Sequence, residues 1–279
     1  MESLPPWVLD GPRVAAAVPS FVGPLDGLPA PLAAYSFRRL LSAYAANKAV
    51  NIRRSSDSAA QDFGFDASGN FDSAGAAAFI GGGSGFIATW YDQSGNGLDL
   101  TQGTAGAQPN ALLPSALVNS QPAAGFTSSA LRLIAASIPS TAPPFTLMAV
   151  AARTAAFTSF SFILGMTSAT PVMDFSNATN TVRFTAGTAR TIGASDSVAH
   201  CLAASINGAS SRWCVDGAAS AFAGTPGTNS LTGLGVGAYS AGGNPLTGVI
   251  PEALLFASAL SDGNMQTIQA NQKTCYGTP

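Results

Sequence analysis

From Pro109 onward, short apolar runs alternate with clusters of Gly, Pro, Asn, Ser and Asp. The runs fall at 111–118, 131–134, 145–153, 160–165, 181–185, 198–206, 211–216, 233–239 and 248–257. Runs of this length, rich in Val, Ile, Phe and Thr and closed by turn residues, predict strands. Many short strands at this spacing predict an antiparallel sandwich or barrel. No alternation of strand and helix points to a parallel sheet. The first third reads differently. Leu32, Tyr35, Leu40 and Tyr44 fall roughly on one stripe behind Pro31, a residue suited to a first turn, so the pattern predicts a helix over 31–47. Val50–Arg54 reads as a short strand turned by Ser55-Ser56-Asp57. Asp72 or Ser73 can cap an Ala-rich helix that Gly81-Gly82-Gly83 ends, and Ser261 can cap a last helix through about Lys273.

One stretch, Phe86–Gln102, is more specified than the rest. Phe86-Ile87-Ala88-Thr89-Trp90-Tyr91 is strand-like, and Asp92-Gln93-Ser94-Gly95-Asn96-Gly97 is almost pure turn chemistry. Asp, Ser and Asn side chains bond nearby backbone groups, and glycine permits positive φ. A strand ending in such a loop fixes either a sheet corner or a site.

Composition narrows the function classes. The 279 residues are 47% hydrophobic, enough for a sizeable core, but only 9% charged, with a net charge of −2. That balance gives no electrostatic case for nucleic acid or an anionic membrane. So little charge fits either a surface covered by neighbouring subunits or an extracellular-type β protein. No run of about 18 apolar residues could span a membrane. Residues 1–30 are dense in proline (Pro5, Pro6, Pro12, Pro19, Pro24, Pro29) yet carry Trp7, Val8, Leu9, Phe21 and Val22. Proline blocks regular pairing and large apolar residues avoid water. An extended arm is expected, lying on its own domain or on a partner. The N-terminus lacks the basic and apolar regions of a signal peptide, so synthesis and assembly in a cytoplasm, or export without a cleavable signal, are expected.

Candidate chemistry follows. Asp92, Ser94, Asn96 and Asp99 place oxygen side chains at positions 1, 3, 5 and 8 of a loop with Gly97 at position 6, as a Ca2+ loop begins. The twelfth position is Gly103, so the bidentate acid is missing, and a self-satisfied Asx-rich turn is the stronger expectation. Arg53 or Arg54 can fork onto Asp57 or Asp92, locking two loops, or can contact a sugar. If Asn207-Gly208 is a two-residue hairpin turn, Cys201 and Cys214 face each other at a spacing compatible with a disulfide. Cytosolic assembly favours free thiols instead. His200 is the only histidine and sits in no nucleophile motif. Gly81–Gly85 lacks the lysine of a phosphate loop.

Arg53-Arg54-Ser55-Ser56-Asp57 together with Trp90-Tyr91-Asp92-Gln93-Ser94-Gly95-Asn96-Gly97 resembles the N-terminal part of the α-L-arabinofuranosidase B catalytic domain, and virion proteins of tailed bacteriophages similar to it. The resemblance runs from about Tyr35 to Gln102. Beyond it, Gly248–Phe256 followed by Ala259-Leu260-Ser261-Asp262 resembles the closing strand and helix of laminin-G-like jelly rolls. The implied fold is an all-β, antiparallel concanavalin A-like (jelly-roll) sandwich over 31–279, with a few short helices and an extended arm over 1–30. The implied carbohydrate-contacting residues are Arg54, Tyr91, Asp92, Gln93 and Asn96.

Glycoside hydrolysis needs two flanking carboxyl groups. The chain has two glutamates, Glu2 in the arm and Glu252 in a scaffold-type strand. In the resembled enzymes the acids lie beyond the N-terminal motifs, beside adjacent cysteines. No Cys-Cys pair exists in this chain, and Asp174 is the nearest counterpart of those acids. The first expectation is therefore a non-catalytic structural or attachment protein of a tailed-phage virion. It would assemble in the host cytoplasm and contact itself and other virion proteins through the arm, with a host surface glycan as a further partner. The second is an α-L-arabinofuranosidase-like glycoside hydrolase, and the third a carbohydrate-binding module.

Overall fold

A computed structural model of the chain describes residues 21–127, 131–135, 137–154, 160–166, 170–176, 181–193 and 197–279. The strands in chain order are β1 (Ala33–Ser36), β2 (Val50–Arg54), β3 (Ala60–Phe63), β4 (Gly85–Trp90), β5 (Leu100–Thr101), β6 (Asn110–Ser115), β7 (Gln121–Phe126), β8 (Leu133–Ala135) and β9 (Phe145–Arg153). They continue as β10 (Ser161–Gly165), β11 (Val172–Ser176), β12 (Thr181–Thr185), β13 (Ala189–Gly193), β14 (His200–Ile206), β15 (Arg212–Val215), β16 (Ala218–Ala221), β17 (Gly235–Val236) and β18 (Gly248–Phe256). Among the described residues two α-helices, α1 (Ser73–Ile80) and α2 (Asp262–Tyr276), complete the set.

Every strand pairing is antiparallel, and the strands form two walls. One wall runs β16-β15-β14-β9-β18, with β1 and β7 sharing the far edge of β18. The other runs β13-β12-β11-β10-β17-β8-β5-β4-β2-β3. Strand β6 joins them by pairing with both β7 and β4. The result is the antiparallel β-sandwich the strand spacing predicts.

Strand periodicity shows where the core sits. Along β9, Phe145, Leu147, Ala149 and Ala151 enter one apolar cluster with Ile163, Met173, Phe175, Val182 and Phe184 of the opposite wall. Met148, Val150 and Ala152 point the other way, into smaller clusters with residues of α2 and its flanks. So β9 is buried on both faces, which is why it reads as a continuous apolar run. Helix α2 supplies the cover with Met265, Ile268, Gln269, Gln272 and Tyr276, a stripe at helical spacing. Both helices start where their caps predict: Asp72 accepts from the Gly75 amide and Ser261 from the Asn264 amide.

Two expectations are corrected. The helix over 31–47 is absent; Ala33–Ser36 is a strand paired with Leu255 through Glu252, with all four residues buried. The apolar spacing was real, but pairing with the edge of β18 satisfies both backbone and side chains, and tertiary context overrides a weak local preference. Cys201 and Cys214 do not face each other: Cys214 lies opposite Ala203, and both thiols are free. A 3-10 turn over Gly208–Ser210 replaces the two-residue turn and shifts the register by two residues. Gln269 of α2 sits at both cysteines, taking the Cys214 thiol hydrogen at 3.0 Å and donating to the Cys201 and Cys214 carbonyls. Burial pushes the Cys201 thiol up to about 12 and the Cys214 thiol up to about 11.

Residues 21–30 pack on the chain's own domain. Leu25 is buried with Leu40, Leu254 and Phe256, and its amide donates to the Leu40 carbonyl. Residues 1–20, with Trp7, Val8 and Leu9, lie outside the described residues.

Candidate active site

The loop after β4 is built inward, toward the chain's own backbone. Asp92 is buried and accepts four hydrogen bonds, from the amides of Ala34, Ser94 and Leu98 and from the Ser94 hydroxyl. Gln93 is equally buried. Its oxygen accepts from the Leu40 amide, and its amide donates to the Ser36 and Arg38 carbonyls. Asn96 donates to the Leu32 carbonyl. The loop therefore clamps the segment around β1 in place. Donors already fill the oxygens of Asp92, and the Asp99 carboxylate caps the Asp92 amide. Among the described residues no cluster of three or more His, Cys, Asp or Glu side chains could hold a metal ion.

The other residues expected at a sugar are also engaged. Tyr91 donates to Asp62, which also takes Asn51 and Lys48. Burial opposes ionisation of Asp62, but these three donors hold its carboxyl below the usual range. Arg54 forks onto Asp57 at 2.8 and 2.6 Å, donates to the Phe79 carbonyl, and lies over the Phe79 ring. Arg53 binds Gln108 and lies over Phe86. Thus Arg54, Tyr91, Asp92, Gln93 and Asn96 are not gathered into one recess; each is held by its own structural partner.

The two fully buried carboxylates with charged partners lie on opposite outer faces of the sandwich. Glu252 of β18 is saturated: it accepts from Ser36, Arg38, Gln272 and Tyr276. Asp174 of β11 lies beyond the other wall, because its neighbours Met173 and Phe175 point into the core. The walls of a sandwich stand about 10 Å apart, so these carboxyls cannot flank one glycosidic bond.

Asp174 has the more reactive setting. Arg183, directly opposite on β12, forks onto it at 2.9 and 2.5 Å. The guanidinium lies 3.5 Å from the centre of the Phe160 ring. Tyr239 packs its ring on Phe162, the β10 residue opposite Asp174, and hydrogen-bonds Asn244. Burial outweighs the Arg183 contacts and pushes the Asp174 carboxyl up to about 6. Burial and the Asp174 charge raise the Tyr239 phenol as well. Both Asp174 oxygens accept from Arg183 and the side chain is 1% exposed, so the carboxyl is held inside the wall by its partner.

Sequence reading picked out Asp174 but missed Arg183, Phe160 and Tyr239. A signal existed: Asp174 and Arg183 are each the lone charge at the middle of a five-residue apolar strand, on consecutive strands.

The comparisons with known proteins bear on this geometry. Residues 26–126 match the sequence model of the α-L-arabinofuranosidase B catalytic domain. Solved structures extend the likeness to the fold as a whole. A GH54 α-L-arabinofuranosidase with a cyclic sulfate inhibitor superposes with a TM-score of 0.68 at 18% identity, over 88% of this chain and 63% of that one. An arabinofuranosidase complexed with arabinofuranosyl-α-1,2-xylobiose gives 0.67 at the same identity and coverage. This chain therefore spans less than two thirds of the length of these arabinofuranosidases. No curated protein sequence matches it. The expectation of a non-catalytic virion structural protein is corrected here. The matched family and the similar structures are arabinofuranosidases, and nothing in them points to a phage particle.

Proposed function

We propose that the chain is an α-L-arabinofuranoside-directed glycoside hydrolase with its reaction centre at Asp174. The observation that carries this reading is the match of residues 26–126 to the α-L-arabinofuranosidase B catalytic model on a sandwich like that of the arabinofuranosidases, with Asp174, buried and paired with Arg183, as the candidate acid. The family match over 26–126 supports the substrate class. To act as the acid, Asp174 turns one oxygen away from Arg183, takes up a proton there and gives it to the glycosidic oxygen as the bond from that oxygen to the anomeric carbon breaks. Hydrolysis also takes a second carboxyl, which activates the attacking water or captures the sugar, and Glu252 cannot fill that role from the opposite face. Arg183 orients the acid through its fork, and Phe160 and Tyr239 offer ring surface beside it. Positioned acid catalysis of this kind contributes about 10²–10⁴-fold.

The test compares two substrates of the full-length chain. From a 4-nitrophenyl arabinofuranoside the nitrophenolate leaves without protonation, whereas the sugar alcohol leaving from an arabinofuranosyl oligosaccharide needs it. Asp174→Asn should depress turnover of the oligosaccharide far more than that of the aryl glycoside. Absence of turnover on both substrates by the unaltered chain would overturn the proposal.

A further inference from the structure

We propose that a cavity at the C-terminal end of α2 is a second, non-catalytic site that binds a short neutral glycan. The cavity has a volume of about 600 Å³ and lies beside Arg38 and Tyr276, on the Glu252 side of the sandwich. Asp174 is on the other side, and none of its partners lines the cavity. Its size falls within the range of pockets that enclose small ligands.

The lining specifies the ligand. The two cations at the cavity are already engaged. Arg38 is paired with Glu252 and lies over the Tyr276 ring. Arg39 donates to the carbonyls of Leu41, Ser42 and Tyr44 and lies over the Phe21 ring. An anion would have to break these contacts, so the site does not favour one. The remaining polar groups are neutral. Among the described residues the side chains of Ser68, Ser73, Ser120 and Gln121 line the cavity and make no hydrogen bond. Their hydroxyl and amide groups are therefore free to meet a ligand. Phe21, Phe37 and Phe71 supply apolar ring surface at the same wall. Neutral donors and acceptors beside aromatic rings match the two kinds of surface a sugar presents, its hydroxyls and its C–H faces.

The proposal stands apart from the glycosidase reading, and its test separates the two. The full chain, 15N-labelled, is titrated with α-1,5-arabinotriose, xylotriose and maltotriose while the side-chain amides of Gln121 and Asn271 are followed. At least one trisaccharide should give saturable shifts at these amides, in unaltered protein and in Asp174→Asn alike. Ser68→Trp, which fills the mouth from an exposed turn, should weaken binding at least tenfold. Gln121→Ala, a smaller change, should weaken it several-fold. Two results would overturn the proposal: no saturable shift at the Gln121 and Asn271 amides with any of the three sugars, or affinities unchanged in both cavity variants.

Discussion

The loop after β4 and the strands β11 and β12 place their polar side chains in ways their sequences conceal. The loop carries the most recognisable residues of the chain, and its polar side chains are turned onto backbone: Asp92 and Gln93 together satisfy groups from Ala34 to Leu98. The strand pair carries no conspicuous motif. Yet it holds a carboxyl raised to about 6 against a guanidinium stacked on an aromatic ring. A motif can be specific because the fold needs it, while an unusual carboxyl environment arises where no motif marks it.

Substitutions can break this comparison, and the largest effect belongs to the strand pair. Asp174→Asn should lower turnover of an arabinofuranosyl oligosaccharide by about 10²-fold or more, the general-acid contribution. Circular dichroism should show the fold retained. In the loop, Asp92→Ala should instead cost stability. The buried Ala34 amide and the half-buried Ser94 and Leu98 amides and Ser94 hydroxyl lose their acceptor, and a buried group left unpaired costs about 1–3 kcal/mol. Urea unfolding should therefore report a loss of about 3 kcal/mol or more, with activity per folded molecule unchanged. A large activity loss without destabilisation would reverse the roles assigned to the two regions.

Acid titration sharpens the contrast further. The Asp174 carboxyl is about 6 in the folded chain and 3.8 as its reference value, so the native state holds this proton over a range where the unfolded chain has lost it. The contribution of this group is complete below pH 3.8 and is lost as the pH rises through about 6, amounting to about 3 kcal/mol at most. Wild type minus Asp174→Asn isolates it from carboxyls such as Asp62, whose lowered values favour folding in the opposite direction. The difference in unfolding free energy between the two proteins should shrink the advantage of wild type as pH rises from 4 to 7. Turnover should fall over the same upper range, because the acid must be protonated to act.

The smallest effects are expected at two other positions. Arg54→Ala, at an exposed fork with Asp57, should leave the thermal transition unmoved and binding of sugars unaltered. Native protein should react slowly with a thiol reagent at Cys201 and Cys214, whose thiols are buried and raised, and all three cysteines should react after unfolding. A disulfide between Cys201 and Cys214 in the mass spectrum would refute the register of β14 and β15.

The chain's own pattern marked the long apolar strands such as Phe145–Arg153 and Gly248–Phe256 and both helix caps, because each depends on neighbours close in sequence, but it passed over the strands Val172–Ser176, Ala189–Gly193 and Ala218–Ala221 and left the partner of the Arg53-Arg54 pair open. Tertiary structure decided the rest. Ala33–Ser36 became a strand because the edge of β18, more than 200 residues away, offered partners for its backbone. Cys201 and Cys214 parted because a turn of three residues, which no local spacing announced, moved the register. Asp174 and Glu252 carry the same functional group, but one is stranded with a single partner and the other saturated by four. Desolvation and hydrogen bonding set a carboxyl's proton affinity, and both come from whatever the fold packs around it.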